Sequence, residues 1–96
     1  MAISLIAKIP IQEGKNEEFE AIFKELEAAV RANEPGNVFY SCNRTDNANE
    51  YIVLEQYVDQ AAVEAHSSSD HFKQIGGKLG AVMGGRPEIT RLESIS

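Results

Sequence analysis

The chain of 96 residues is 43% hydrophobic and 25% charged, and it carries a formal net charge of −6. This composition is typical of a soluble globular protein, and the length predicts one domain that spans residues 1–96. The acidic charge argues against nucleic acid and anionic membranes as partners, since both bind basic surfaces. The apolar start is too short to span a bilayer, and the lone Cys42 has no partner for an internal disulfide, so we expect a cytoplasmic protein.

The first half of the chain predicts a strand, a helix and a second strand. Residues 3–11 alternate in a way that indicates a strand covered on much of both faces. From Asn16 the apolar residues recur every three or four positions, which indicates an amphipathic helix. The sequence NEPG at 33–36 ends that helix, because proline disfavours helical backbone in the residue before it. Residues 38–44 are rich in β-formers and predict the second strand.

The second half predicts a strand, a divided helix and a last strand. Residues 51–58 follow a polar turn and complete a hairpin with the second strand. Asp59 is a favourable N-cap for a short helix, which the serines at 67–69 interrupt. Another helix then continues up to the glycine pair at 84–85, and residues 87–95 alternate enough to form a final strand.

The element order β-α-β-β-α-β predicts an α+β fold of the ferredoxin-like type. In this arrangement helices cover one face of a four-stranded antiparallel sheet. The strands carry apolar residues on both sides, so the second face also needs to be covered. We therefore expect a homodimer that buries this face, sheet against sheet.

The third predicted strand carries a carboxylate that needs a partner. Glu55 shares a strand face with Tyr51 and Tyr57, so its side chain has to meet a hydrogen-bond partner or a solvated cavity. We predict that it pairs with His66, because a carboxylate can fix the tautomer of an imidazole and leave the other nitrogen as a proton acceptor. The same pair could be purely structural, and the tyrosines could be donors to a ligand or simply aromatic wall.

His71 follows His66 by five residues, across the serine break. The two histidines therefore do not form an HExxH-type pair on one helix. No third ligand is evident in the sequence, so we predict no metal site. Gly76, Gly80 and Gly84 repeat every fourth residue, and this strip allows either close backbone packing or the floor of a cavity.

One protein family resembles this chain over nearly its whole length. The antibiotic biosynthesis monooxygenases, including their small quinol-monooxygenase-like members, are similar to it in the segments EGKNEEFEAIF, VRANEPGNVFY, YIVLEQYVDQAAVEAHSSSDHF and GRPEITRLE. The most specific part is Glu-x-Tyr-x-Asp followed by His-x-x-Ser-x-His-Phe.

The resemblance implies a dimeric α+β barrel with a pocket between the sheet and the helices of each subunit. Some members oxygenate phenols or quinols without metal, flavin or haem, whereas others degrade haem or isomerise small metabolites. Haem degradation is not expected here, because the chain has no tryptophan and the position one turn after Phe72 is Gly76 rather than histidine. The missing tryptophan near Tyr57 leaves the mechanism of a cofactor-free oxygenase open.

We predict a monooxygenase without a cofactor that oxidises a small phenol or quinol with O2. Such an enzyme must form and stabilise an anion that can give an electron to dioxygen. The predicted catalytic residues are His66 as base, Glu55 as its orienting partner and Tyr57 as a donor. The predicted substrate-binding residues are His71, Tyr51, Tyr40, Phe72 and Phe23. The alternative is a binding protein or isomerase with a structural Glu55–His66 pair. An enzyme predicts a closed cavity lined by Glu55, Tyr57, His66 and His71, whereas a structural pair predicts solid packing there.

Overall fold

The computed structural model describes residues 1–95, and its element order is the predicted one. The strands are β1 (Ile3–Pro10), β2 (Asn37–Arg44), β3 (Glu50–Tyr57) and β4 (Glu88–Glu93). They form one antiparallel sheet in the order β2-β3-β1-β4. The helices are α1 (Asn16–Asn33), α2 (Gln60–Ser68) and α3 (Asp70–Gly80). The ferredoxin-like α+β arrangement is therefore confirmed.

Helix α1 packs on the sheet through one apolar stripe. Phe19, Phe23, Leu26 and Val30 recur at the spacing of a helix face, and all four are buried. Each such side chain contributes about 1.5–3 kcal/mol when it is removed from water. No helix among residues 1–95 combines the length and the apolar character that a membrane crossing needs.

A side-chain cap begins each of the helices α2 and α3. The carboxylate of Asp59 accepts a hydrogen bond from the backbone N–H of Ala62 over 2.9 Å and begins α2. The Ser69 hydroxyl oxygen accepts from the backbone N–H of Phe72 over 3.2 Å and begins α3, while it donates to the carbonyl of His66 over 2.7 Å. The predicted serine break is confirmed, and it falls at Ser69, which ends α2 and begins α3.

Helix α3 ends four residues earlier than predicted. It stops at Gly80, and the next residues pair with the end of β1 instead of continuing the helix. The backbone N–H of Gln12 donates to Val82, and that of Gly84 donates to Pro10. These bonds tie residues 82–84 to the segment at the end of β1, so the helix ends before the glycine pair at 84–85.

The turn after α1 approaches α2 so closely that only glycine fits. A Cβ atom at Gly36 would lie 2.6 Å from the Cβ of Ala62, and the carbonyl of Gly36 accepts from the backbone N–H of Val58 over 2.9 Å. This contact brings the turn after α1 against the first turn of α2.

The sheet face opposite the helices is open in the single chain. Phe39, Leu54 and Leu92 lie on three different strands of this face and are 40–45% exposed. Their neighbours across the strands include the half-buried Ile6, which pairs with Leu54. The predicted apolar character of the second face is therefore present in the folded chain.

Candidate functional site

The carboxyl group of Glu55 is bound by a tyrosine of its own strand. The Tyr57 hydroxyl donates to Glu55 Oε1 over 2.7 Å, which is possible because residues two apart in a strand share a face. Both side chains are buried. Burial raises the pKa of Glu55 above its ordinary value, more than the Tyr57 hydrogen bond and the nearby His66 lower it. A carboxylate with a raised pKa is a stronger proton acceptor than an ordinary glutamate.

The carboxylate that binds His66 is Glu34, which the sequence analysis missed. His66 Nδ1 lies 3.0 Å and 2.9 Å from the two carboxylate oxygens of Glu34. His71 Nε2 forms a hydrogen bond with the same Glu34 Oε2. The predicted pairing of Glu55 with His66 is therefore corrected: Glu34 binds His66 Nδ1, and Glu55 accepts the hydroxyl of Tyr57.

The end of α1 aims Glu34 at the two histidines. Glu34 is the C-cap of the helix, and its backbone is not helical (φ −121°, ψ 87°), in keeping with the restriction that Pro35 places on the residue before it. A carboxylate is unfavourable at the C-terminus of a helix, since the helix dipole is negative there. An acid at that position therefore needs a partner elsewhere, and this was the one signal in the sequence that could have revealed it.

Aromatic rings surround His66. Its ring centroid lies 4.6 Å from that of Phe72 and 5.4 Å from those of Tyr40 and Tyr57. Burial, together with the adjacent carboxylate of Glu55, raises the pKa values of both tyrosines well above their ordinary range. These phenols therefore stay protonated at neutral pH and can act only as neutral hydrogen-bond donors or as aromatic walls.

A cavity of about 150 Å³ lies between the sheet and helices α1 and α3. Its lining is mostly apolar, and Glu55 contributes the one carboxyl group among the lining residues. Phe23 and Tyr40 stack in its wall, with ring centroids 5.3 Å apart and an interplanar angle of 11°. Phe72 and Gly76 also line it.

The glycine strip of α3 has both of the predicted uses, each at a different residue. A Cβ atom at Gly76 would meet nothing within 4 Å, so this glycine leaves open space in the cavity. A Cβ atom at Gly84, which lies beyond the helix, would be 3.2 Å from the backbone of Ile11. Gly84 therefore permits close backbone packing.

The structure brings together only some of the predicted site residues. Tyr40, Glu55, Phe23 and Phe72 line the cavity, whereas Tyr57, His66 and His71 are outside its lining. His66 lies behind two of the wall residues, in contact with Tyr40 and Phe72.

Tyr51 belongs to a separate cluster at the other end of β3. Its hydroxyl donates to Glu20 Oε2 over 2.5 Å. Arg44 binds both oxygens of Glu20, over 3.0 Å and 2.8 Å. The hydrogen bonds from Arg44 and Tyr51 lower the pKa of Glu20 to about 2. The phenol of Tyr51 is therefore engaged away from the cavity.

The sequence analysis also found no third residue to complete a metal-binding set with the two histidines. Glu34 is such a residue, since one ligand atom from each of Glu34, His66 and His71 lies within 4.8 Å of the others. Its separation from the histidines by more than 30 residues explains why spacing alone did not show it.

Comparison with known proteins agrees with this architecture. A family profile described as antibiotic biosynthesis monooxygenase matches residues 2–77, and no curated protein matches the sequence significantly. A Caulobacter crescentus protein described as a candidate antibiotic biosynthesis monooxygenase is 36% identical over 99% of this chain and 91% of its own, with a TM-score of 0.96.

Two further solved structures resemble the chain over almost its full length. A conserved protein from Methanosarcina mazei is 28% identical over 96% of this chain and 91% of its own, with a TM-score of 0.86. A Pseudomonas aeruginosa protein is 27% identical over 99% of this chain and 95% of its own, also with a TM-score of 0.86. From the family match and the 36% identity to the Caulobacter crescentus protein, we conclude that the chain belongs to the antibiotic biosynthesis monooxygenase family.

Proposed function

We propose that this protein is a monooxygenase that oxidises a single-ring phenol or quinol with O2 in the cavity beside Glu55. The observation that carries the proposal is an apolar cavity of about 150 Å³ with aromatic walls and one carboxyl group. An apolar cavity of roughly this size holds a benzene ring. Membership of the monooxygenase family supports the same reaction class.

The reaction needs a base and a pocket that excludes water, and it needs no external reductant. The substrate O–H gives its proton to the base, and the resulting anion gives one electron to O2. The two radicals join in a new C–O bond. Loss of the proton from that carbon and cleavage of the O–O bond then leave a carbonyl group and one molecule of water. One oxygen atom enters the product, and the substrate supplies all the electrons.

Glu55 is the favoured base, because it is the one carboxyl group among the residues that line the cavity. Tyr57 holds this carboxyl group in place through its hydroxyl. His66, the base predicted from the sequence, is outside the lining and contacts the wall residues Tyr40 and Phe72. We assign His66, together with Glu34, the role of positioning that wall.

Oxygen uptake by chelator-treated protein tests the proposal against a panel of single-ring quinols and phenols. We expect uptake above autoxidation in the wild type and a loss of about 100-fold or more in Glu55→Gln, as for removal of a general base. Glu20→Gln is the matched control, since Glu20 also accepts a tyrosine hydroxyl but is outside the cavity lining. His66→Ala should lose less than Glu55→Gln. Wild-type protein without uptake on any compound would contradict the proposed reaction.

A second candidate is a protein that binds or isomerises a small aromatic without oxygenating it. Both histidines are outside the cavity lining, so few side chains in the lining can transfer a proton to or from a ligand, and this favours the second candidate. It predicts saturable binding of a phenol, measured calorimetrically, without any oxygen uptake. Glu55→Gln would then weaken binding without changing a rate of oxygen consumption.

We also propose that the open sheet face joins two copies of the chain. Three large apolar side chains of this face, Phe39, Leu54 and Leu92, are 40–45% exposed in the single chain. Sedimentation analysis should give a dimer for the wild type and a monomer for Leu54→Lys, which places a charge in the centre of the face. A monomeric wild type at micromolar concentration would contradict this part of the proposal.

A further inference from the structure

We propose that Glu34, His66 and His71 form a binding site for one first-row divalent cation of the type that prefers imidazole. The site is separate from the cavity, because none of the three residues lines it. It lies where the end of α1 meets the junction of α2 and α3. The proposal does not depend on the oxygenase reaction.

The three ligand atoms already converge. One nitrogen from each histidine and a carboxylate oxygen lie within 4.8 Å of one another. The Glu34 side chain bridges the two rings through hydrogen bonds to His66 Nδ1 and His71 Nε2. A cation at their centre would replace these bonds, and it would require only small side-chain movements since metal–nitrogen and metal–oxygen distances are about 2.0–2.2 Å.

The three ligand side chains are largely buried, which distinguishes them from a chance cluster of polar groups on the surface. The side chains of Glu34, His66 and His71 are 7%, 5% and 16% exposed. A carboxylate removed from water is costly unless a positive group or several donors compensate it. The higher exposure of His71 leaves an approach for an ion from the solvent.

Helix ends favour positive charge at this point. Glu34 is the C-cap of the 18-residue α1, and His66 lies in the last turn of α2. Both helix C-termini carry partial negative charge and stabilise a nearby cation.

The ligand set indicates the class of ion. Two imidazoles and one carboxylate suit zinc, iron(II) or cobalt(II), and they do not suit calcium or magnesium, which prefer oxygen ligands. Three protein ligands would leave further coordination positions for water. Bound in this way, the ion would join α1 to the α2–α3 junction and stabilise the native fold.

Titration of metal-free protein with Co²⁺ and Zn²⁺, in the absence of any substrate, tests the proposed site. We expect one equivalent of Co²⁺ to bind with new visible absorption bands and Zn²⁺ to displace it. Glu34→Gln and His71→Asn should each weaken Co²⁺ binding by at least about 10–100-fold. Losses of this size follow even when only a residue that hydrogen-bonds to a metal ligand is removed. Zn²⁺ should also raise the melting temperature of the wild type, since a ligand that binds only the native state stabilises it.

Glu64→Gln is the matched control, because Glu64 is an exposed carboxylate on α2 two residues before His66. This variant should bind Co²⁺ as the wild type does. Equal binding by the wild type, Glu34→Gln and His71→Asn would overturn the site, as would a wild type whose melting temperature does not respond to Zn²⁺. Because the oxygenase test uses chelator-treated protein and this one uses no substrate, failure of either leaves the other intact.

Discussion

Two tyrosine–glutamate pairs lie at opposite ends of β3, and they differ in what surrounds the carboxylate. Tyr51 donates to Glu20 over 2.5 Å, and Tyr57 donates to Glu55 over 2.7 Å. Glu20 also has the guanidinium of Arg44, and its pKa falls to about 2. Glu55 has no such bond to a guanidinium, and burial raises its pKa.

Burial and a guanidinium partner, rather than the phenol, separate the pKa values of the two carboxyl groups. Both phenol hydrogen bonds lower the pKa of the glutamate that accepts them. The hydrogen bond from the Arg44 guanidinium is the largest cause of the low pKa of Glu20, and it keeps this carboxyl group ionised at neutral pH. Glu55 has a tyrosine donor but no guanidinium partner, and it lies beside a cavity. It is therefore the carboxyl group that can still accept a proton.

The largest expected effect is on the free energy of unfolding when a tyrosine hydroxyl is removed, and the loss should differ between Tyr57 and Tyr51. Tyr57→Phe leaves a buried carboxyl group without its donor, and we expect a loss of about 1–3 kcal/mol in the free energy of unfolding. Tyr51→Phe leaves Glu20 bound by Arg44 at the surface, and we expect a loss of only about 0.5 kcal/mol. Urea unfolding at pH 7 measures both. Equal losses would show that the cation does not distinguish the two pairs.

A side chain that fills the cavity should weaken phenol binding beside Glu55 and leave the Tyr51–Glu20 pair at the other end of β3 unchanged. Gly76 lines the cavity and Gly77, its neighbour on α3, is exposed, while a Cβ atom at either position would meet nothing within 4 Å. We expect Gly76→Leu to weaken phenol binding by at least about tenfold, equal to about 1.4 kcal/mol, because the new side chain occupies the ring's space. Gly77→Leu carries the same change in helix propensity and should bind phenol as the wild type does, by calorimetry. A tight-binding Gly76→Leu variant would place the ligand elsewhere.

The smallest effect is an opposite pH dependence of the two carboxyl groups. The low pKa of Glu20 contributes stability that is complete above its ordinary value of 4.5 and is lost as the pH falls toward about 2. The raised pKa of Glu55 contributes stability that is complete below 4.5 and is lost as the pH rises through its folded-state pKa. The deficit of Glu20→Gln relative to the wild type should therefore shrink on acidification, whereas Glu55→Gln should gain relative to the wild type as the pH rises above 4.5. Parallel pH curves for the two variants would contradict the assigned shifts.

The fold could be predicted from the sequence because its signals are local. The apolar stripe of α1 and the caps at Asp59 and Ser69 each lie within a few residues, so periodicity and cap chemistry locate them. The end of α3 could not be placed in this way. The residues just after α3 pair with the end of β1 and the residues that follow it, about 70 residues earlier, and such pairing lies outside any local pattern.

The candidate site was only partly predictable for the same reason. The wall residues Phe23, Tyr40 and Phe72 lie on the faces that periodicity assigns to the core. The partner of His66 could not be found by spacing, since Glu34 is 32 residues away along the chain and meets it only in the folded protein. Which of two buried carboxylates meets a histidine is decided by tertiary geometry.

The most direct measurement is the fate of labelled oxygen during turnover. Chelator-treated wild-type protein is incubated with ¹⁸O2 and the single-ring quinol that gives the highest oxygen uptake, and the product is analysed by mass spectrometry. We predict one labelled oxygen atom in the product, no accumulation of hydrogen peroxide, and no labelled product above autoxidation with Glu55→Gln. Unlabelled quinone with hydrogen peroxide, or equal labelling by the wild type and Glu55→Gln, would contradict monooxygenation at Glu55.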